Sequence, residues 1–117
     1  VMKVVKKNEA KNIRNSDTSK LLEYSIGLKD KDIDFCINTI SGRYPKIGYC
    51  TNEKCKEICY VLEGKGTLNK EDEMVNFEAG DVILIDKNEI YYWNGDCEII
   101  MICTTAWYKE QCKFIDD

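Results

Sequence analysis

The stretch Lys56–Gly66 reads KEICYVLEGKG, and about fifteen residues later Ala79–Gly95 reads AGDVILIDKNEIYYWNG. Each carries a short β-branched and aromatic run bounded by glycine, the pattern of a strand entering or leaving a tight turn. Side chains alternate across a strand, so Cys59 and Val61 share a face with Glu57, while Tyr91 and Trp93 share another. A carboxylate on an apolar strand cannot be buried without a partner. Both stretches therefore place polar groups where a β-barrel turns them into its mouth, and the rest of the chain reads as walls around them.

Working outward, Ile33–Ile40 alternates with period two and predicts a half-buried strand that Ser41-Gly42 breaks. Short strands are also predicted over Met2–Val5, Leu21–Gly27, Lys46–Cys50, Cys55–Leu62, Thr67–Asn69, Met74–Phe77, Val82–Ile85, Ile90–Trp93 and Cys97–Thr104. Turns are expected at Glu9–Ser19, Asp30–Asp34, Thr51–Lys54, Glu63–Gly66, Lys70–Glu73, Glu78–Asp81, Asp86–Glu89 and Asn94–Asp96. The only proline, Pro45, marks a loop or strand entry. Trp107–Phe114 reads as a C-terminal arm, helical or extended. With turn signals every eight to twelve residues and no convincing helical stripe, the class is all-β, an antiparallel sandwich or barrel.

The 117 residues suit one domain, and 44% hydrophobic with 32% charged residues suits a globular one. The longest uncharged apolar run is Ile99–Cys103, too short to span a bilayer, and no signal-peptide region opens the chain. A cytoplasmic protein without a membrane partner is expected. The N-terminal cluster Lys3, Lys6, Lys7, Lys11, Arg14 and Lys20 reads as a solvated edge, where lysine blocks unwanted pairing, rather than as a nucleic-acid surface. Seven cysteines without a C-x-x-C pair, and no histidine at all, exclude a zinc knuckle. Most lie in apolar runs and read as small core residues in a reducing compartment.

Residues 42–95 resemble the cupins, a family of double-stranded β-helix or jelly-roll barrels. The first cupin motif is G-x5-H-x-H-x(3,4)-E-x6-G; here Glu57 and Gly64 keep its end, within ICYVLEGKGTL. The second is G-x5-P-x-G-x2-H-x3-N; here Gly80 is followed by DVILI, and Tyr91 stands at the histidine position. The resemblance implies a single cupin domain over 1–117, and pairing into a homodimer through strands exchanged at the edges.

In metal-binding cupins the motifs supply three histidines and a glutamate. Those positions are Cys50, Asn52, Glu57 and Tyr91 here, so only the glutamate is kept. Thiol, amide and phenol are a poor replacement for imidazole, because two must lose a proton of high pKa and the third is a weak neutral ligand. No resident metal is expected; were one bound, Glu57, Cys50 and Tyr91 would be its ligands.

The resemblance thus implies a barrel pocket for a small organic molecule, with Glu57, Tyr91, Cys50, Asn52, Cys59 and Trp93 as its candidate lining. Plain structural roles stand beside this one. Cys50 fills space, Asn52 caps a turn, and the Tyr91 hydroxyl bonds to Glu57. Tyr91, Arg43 or Lys46 is the expected partner of Glu57. The alternative is a cupin enzyme, an isomerase, epimerase or metal-dependent dioxygenase, using Glu57 and Tyr91 as an acid–base pair. Without histidine the usual general base near neutral pH is lacking, which favours the binding protein.

Overall fold

The computed structural model describes residues 2–116. Nine strands carry it: β1 (Lys11–Ser16), β2 (Ser19–Glu23), β3 (Asp34–Tyr44), β4 (Tyr49–Asn52), β5 (Lys56–Asn69), β6 (Met74–Glu78), β7 (Val82–Ile85), β8 (Tyr92–Thr104) and β9 (Cys112–Ile115). One helical turn, Ser25–Leu28, follows β2. Seven strands form one antiparallel sheet in the order β1-β2-β3-β8-β5-β6, with β7 also paired to β5; β4 and β9 form a second, two-stranded sheet. The architecture is the all-β jelly roll expected from the sequence.

Three strands are longer than expected, and the reason is shared. β5 runs straight through Glu63–Gly66, β8 through Asn94–Asp96, and β3 through Ser41-Gly42. The glycines there do not end strands; they let three strands cross at close range. Gly95 pairs with Gly42 on one side and with Gly66 on the other. A Cβ on Gly95 would stand 2.6 Å from the Gly66 Cα, and one on Gly64, at φ +80°, would stand 2.0 Å from the Asp96 carbonyl oxygen. Only glycine fits that approach. A register shift between Val61 and Glu63 marks the point where β5 changes partner. Before it β5 pairs with β7 and after it with β6, so one strand serves both walls of the barrel.

The N-terminal expectations shift. Met2–Val5 forms no strand, and Lys11–Ser16, read as a turn, is the outermost strand of the sheet. The lysines thus do lie at a sheet edge, one element later than expected. Lys46–Cys50 becomes Tyr49–Asn52, because Arg43 holds the preceding loop by donating to the carbonyls of Pro45 (3.1 Å) and Gly48 (2.6 Å). The core between the walls is Ile40, Val61, Leu68, Phe77, Ile85, Trp93, Ile99 and Met101, with Cys50, Cys59, Tyr91 and Cys97 among them. All seven cysteines are free thiols.

Candidate functional site

Strand register assembles the site in rows across the inner wall. Asp34, Cys103, Glu57 and Ile85 stand opposite one another on β3, β8, β5 and β7. Two residues along, Cys36, Met101, Cys59 and Ile83 form the next row. Glu57, Cys59 and Val61 are all buried while Ile58, Tyr60 and Leu62 face out, as alternation demands.

Glu57 has none of its three expected partners. The Cys103 thiol donates to its Oε2 at 3.1 Å, and the Cys59 thiol to its Oε1 at 3.7 Å. Arg43 lies elsewhere, its guanidinium 3.7 Å over the Tyr92 ring, and Lys46 pairs with Asp17 at 3.0 Å. No cation faces the carboxyl, and that decides its charge. Burial is the main cause that raises its pKa, with the Asp34 charge adding to it, while the two thiol hydrogen bonds pull the other way. Asp34 is raised by burial as well, although the Trp107 N–H donates to its Oδ2 at 2.8 Å. Burial also lifts the thiols of Cys36, Cys59 and Cys103 well above their ordinary range, so these sulfurs are S–H donors and not nucleophiles.

Across the barrel, Tyr91 and Cys50 exchange both backbone hydrogen bonds, Cys50 N to Tyr91 O at 2.9 Å and Tyr91 N to Cys50 O at 3.0 Å. The Tyr91 hydroxyl takes a bond from the Asn52 amide at 3.5 Å, not from Glu57. Tyr91 meets Trp93 edge-on, and Trp93 meets Phe77 the same way, so an aromatic file lines this wall. The phenol is pushed up by burial first and by the nearby Glu57 charge next; the Cys50 thiol is pushed up to about 12, again chiefly by burial. Asn52 caps no turn. Its Oδ1 accepts from the Gln111 amide at 2.8 Å.

The six proposed lining residues are thus all inside the barrel, each under a tenth exposed. They fall into two groups: Glu57 with Cys59, and Tyr91 with Cys50, Asn52 and Trp93. Sequence reading missed Asp34, Cys103, Cys36 and Gln111. The first three were legible once β3 and β8 are put in register beside β5, since their parity points them inward. Gln111, the sole glutamine, gave no signal beyond its rarity.

The arm that carries Gln111 closes this end of the barrel. Residues 105–115 cross it, tied by the Trp107 N–H to Asp34 and by Gln111, whose Oε1 accepts from Lys54 N (3.1 Å) and Cys55 N (3.2 Å). The open clefts lie elsewhere. One of about 950 Å³ is floored by Gly42, Gly66 and Gly95, and one of about 530 Å³ lies between Tyr49, Lys70 and Ile90; neither is lined by Glu57 or Tyr91.

The residues do not fit a divalent transition metal. Imidazole is absent from the chain. The thiol and phenol at two motif positions resist deprotonation, and the amide at a third is engaged by Gln111 and Tyr91. Among the described residues no three histidine, cysteine or carboxylate side chains are grouped to hold an ion.

An antiparallel double wall of this topology, with a buried carboxyl on its fifth strand, defines a jelly-roll barrel of the cupin type. The pattern of the family described as "Cupin domain" matches residues 47–103, and the chain belongs to the cupin superfamily. Among solved structures it is similar to Streptomyces PAC13 with uridine, at a TM-score of 0.86 and 17% identity over 99% of this chain and 92% of that one. Pac13 is described as a nucleoside dehydratase. The polyketide cyclase RemF from Streptomyces resistomycificus follows at 0.69 and 17% identity, over 95% of this chain and 89% of that one. At these identities the likeness is one of fold. A 1-hydroxy-2-naphthoate 1,2-dioxygenase of Nocardioides sp. strain KP7 is 43% identical over 42 residues, which is 36% of this chain and 11% of that protein.

Proposed function

We propose that this cupin binds a small, polar organic molecule in a barrel that works without a resident metal. The observation that carries the reading is the environment of Glu57, a buried carboxyl whose only hydrogen-bond partners are two thiols. Such a group rests as the neutral acid, which can donate one hydrogen bond and accept another. Tyr91, held as a neutral phenol, supplies a second hydroxyl, and Trp93 with Phe77 supplies flat apolar surface. Neutral donors beside aromatic faces suit an uncharged ring compound carrying hydroxyl or carbonyl groups. Entry requires the arm over residues 105–115 to move aside, since neither open cleft reaches the interior.

A second reading has its own support. A carboxylic acid kept protonated near neutral pH is also the general acid that an elimination or isomerisation needs at a leaving oxygen. The likeness of fold to a nucleoside dehydratase makes an acid–base enzyme the natural alternative.

Titration calorimetry on chelator-treated protein tests the first reading, with uridine and a series of neutral aromatic and sugar alcohols as probes. Saturable binding is expected, weakened about tenfold or more in Glu57→Gln, where the acid's donor is moved. Absence of binding to every probe until a transition metal is restored would contradict it. Turnover of a bound probe, lost in Glu57→Gln, would favour the enzyme.

A further inference from the structure

The outer face of the same wall is apolar where the inner face is polar. Two adjacent rows cross it. Leu84, Ile58, Ile102 and Phe35 stand opposite one another on β7, β5, β8 and β3; Val82, Tyr60, Ile100, Ile37 and Leu22 do so one step along, reaching β2. Leu84 is 63% exposed, Val82 62%, Ile58 45%, Tyr60 43% and Leu62 36%. The central Ile100, Ile102, Phe35 and Ile37 are half-buried only by their neighbours along the sheet. Together these side chains offer on the order of 700 Å², above the largest patch of a typical monomer and close to what one partner brings to a stable interface.

Charge identifies the occupant. The next row along the strands holds Glu63, Glu98, Thr39, Lys20 and Arg14 in that order, on β5, β8, β3, β2 and β1. Acid stands at one end of the row and base at the other. A two-fold axis parallel to the strands, between β8 and β3, reverses the order of the row on the facing copy. Glu63 of one copy then meets Lys20 of the other, Glu98 meets Thr39, and Ile100 and Ile102 meet Ile37 and Phe35. The other flank of the apolar rows carries a self-contained ion pair, Lys56 with Asp86 at 3.8 Å, and demands nothing from a partner.

We infer that this face docks a second copy of the chain, sheet against sheet, as an isologous dimer held by the two apolar rows and oriented by the Glu63–Lys20 contacts. The pairing uses the face of the wall, not exchanged edge strands. It also places the interface on the back of the strands that carry Glu57, Cys59 and Cys103.

Sedimentation equilibrium tests it, at about 10 to 100 μM, the range in which an interface of this size associates. Twice the 13.6 kDa chain mass is expected for the wild type. Ile58→Lys with Leu84→Lys, both on exposed positions, is expected to give a folded monomer with an unchanged circular dichroism spectrum. Glu63→Lys alone and Lys20→Glu alone are each expected to weaken the dimer about tenfold, and the two together to restore it. A monomeric wild type overturns the inference, as does a dimer indifferent to the lysine substitutions. A monomer that co-sediments with phosphatidylcholine vesicles overturns it in favour of a lipid surface, and failure of the charge swap to restore pairing overturns the proposed axis.

Discussion

Glu57 is the residue on which the chemistry turns, and its neighbours make its titration a stability measurement. Its pKa is raised above the usual 4.5, so the native state holds the proton more tightly than the unfolded chain does. The stabilisation is complete below about pH 4.5 and is lost as pH rises through the native value. Each pH unit of that separation is worth about 1.4 kcal/mol. Glu57→Gln keeps the shape and cannot ionise. Its melting temperature is expected to fall less than the wild type's between about pH 5 and about pH 8, and to equal or exceed it at the upper end. Asp34 and Glu23, both raised by burial, shift in the same direction and leave a residual slope in the variant. Parallel profiles would mean that Glu57 is ionised in the folded protein. The inward position of Glu57 was legible because one carboxylate interrupts an alternating apolar run. Its partners were not, since thiols give no hint in sequence that they will serve as hydrogen-bond donors. The obvious cations, Arg43 and Lys46, were nearer along the chain than the thiol of Cys103.

The elements hold a similar lesson about glycine. Gly64, Gly66 and Gly95 read as turn residues because a turn and a close strand crossing both require the absence of a Cβ. Local sequence does not separate the two, so each long strand was read as two short ones. The C-terminal arm was left open between helix and strand for a related reason. It takes its shape from tertiary bonds to Asn52, Lys54 and Cys55, not from its own periodicity. Gln111→Ala removes all three bonds and leaves the backbone N–H of Cys55 buried without a partner. A loss of about 2–4 kcal/mol in urea unfolding is expected. Faster amide exchange confined to residues 105–115 and the neighbouring Asn52–Cys55 turn should accompany it. A loss below about 0.5 kcal/mol would show the arm to be held by its apolar contacts alone.

Across the whole molecule, one sheet does two jobs by parity. Odd residues of the first half of β5 face an interior of neutral acids, thiols and aromatic rings, and even residues face outward with the apolar surface of a docking wall. The sequence carried the first half of that pattern in the cupin-like spacing around Glu57 and Gly80. The second half needs the order β7-β5-β8-β3-β2, which brings together residues far apart in the chain and which no local signal specifies. The family's metal positions survive in number and place but not in chemistry, and that contrast is the centre of the account. Elemental analysis of the purified protein, alongside Glu57→Ala, tests it most directly. Less than one equivalent of any transition metal per chain is predicted, unchanged by the substitution; a stoichiometric metal that Glu57→Ala loses would contradict it.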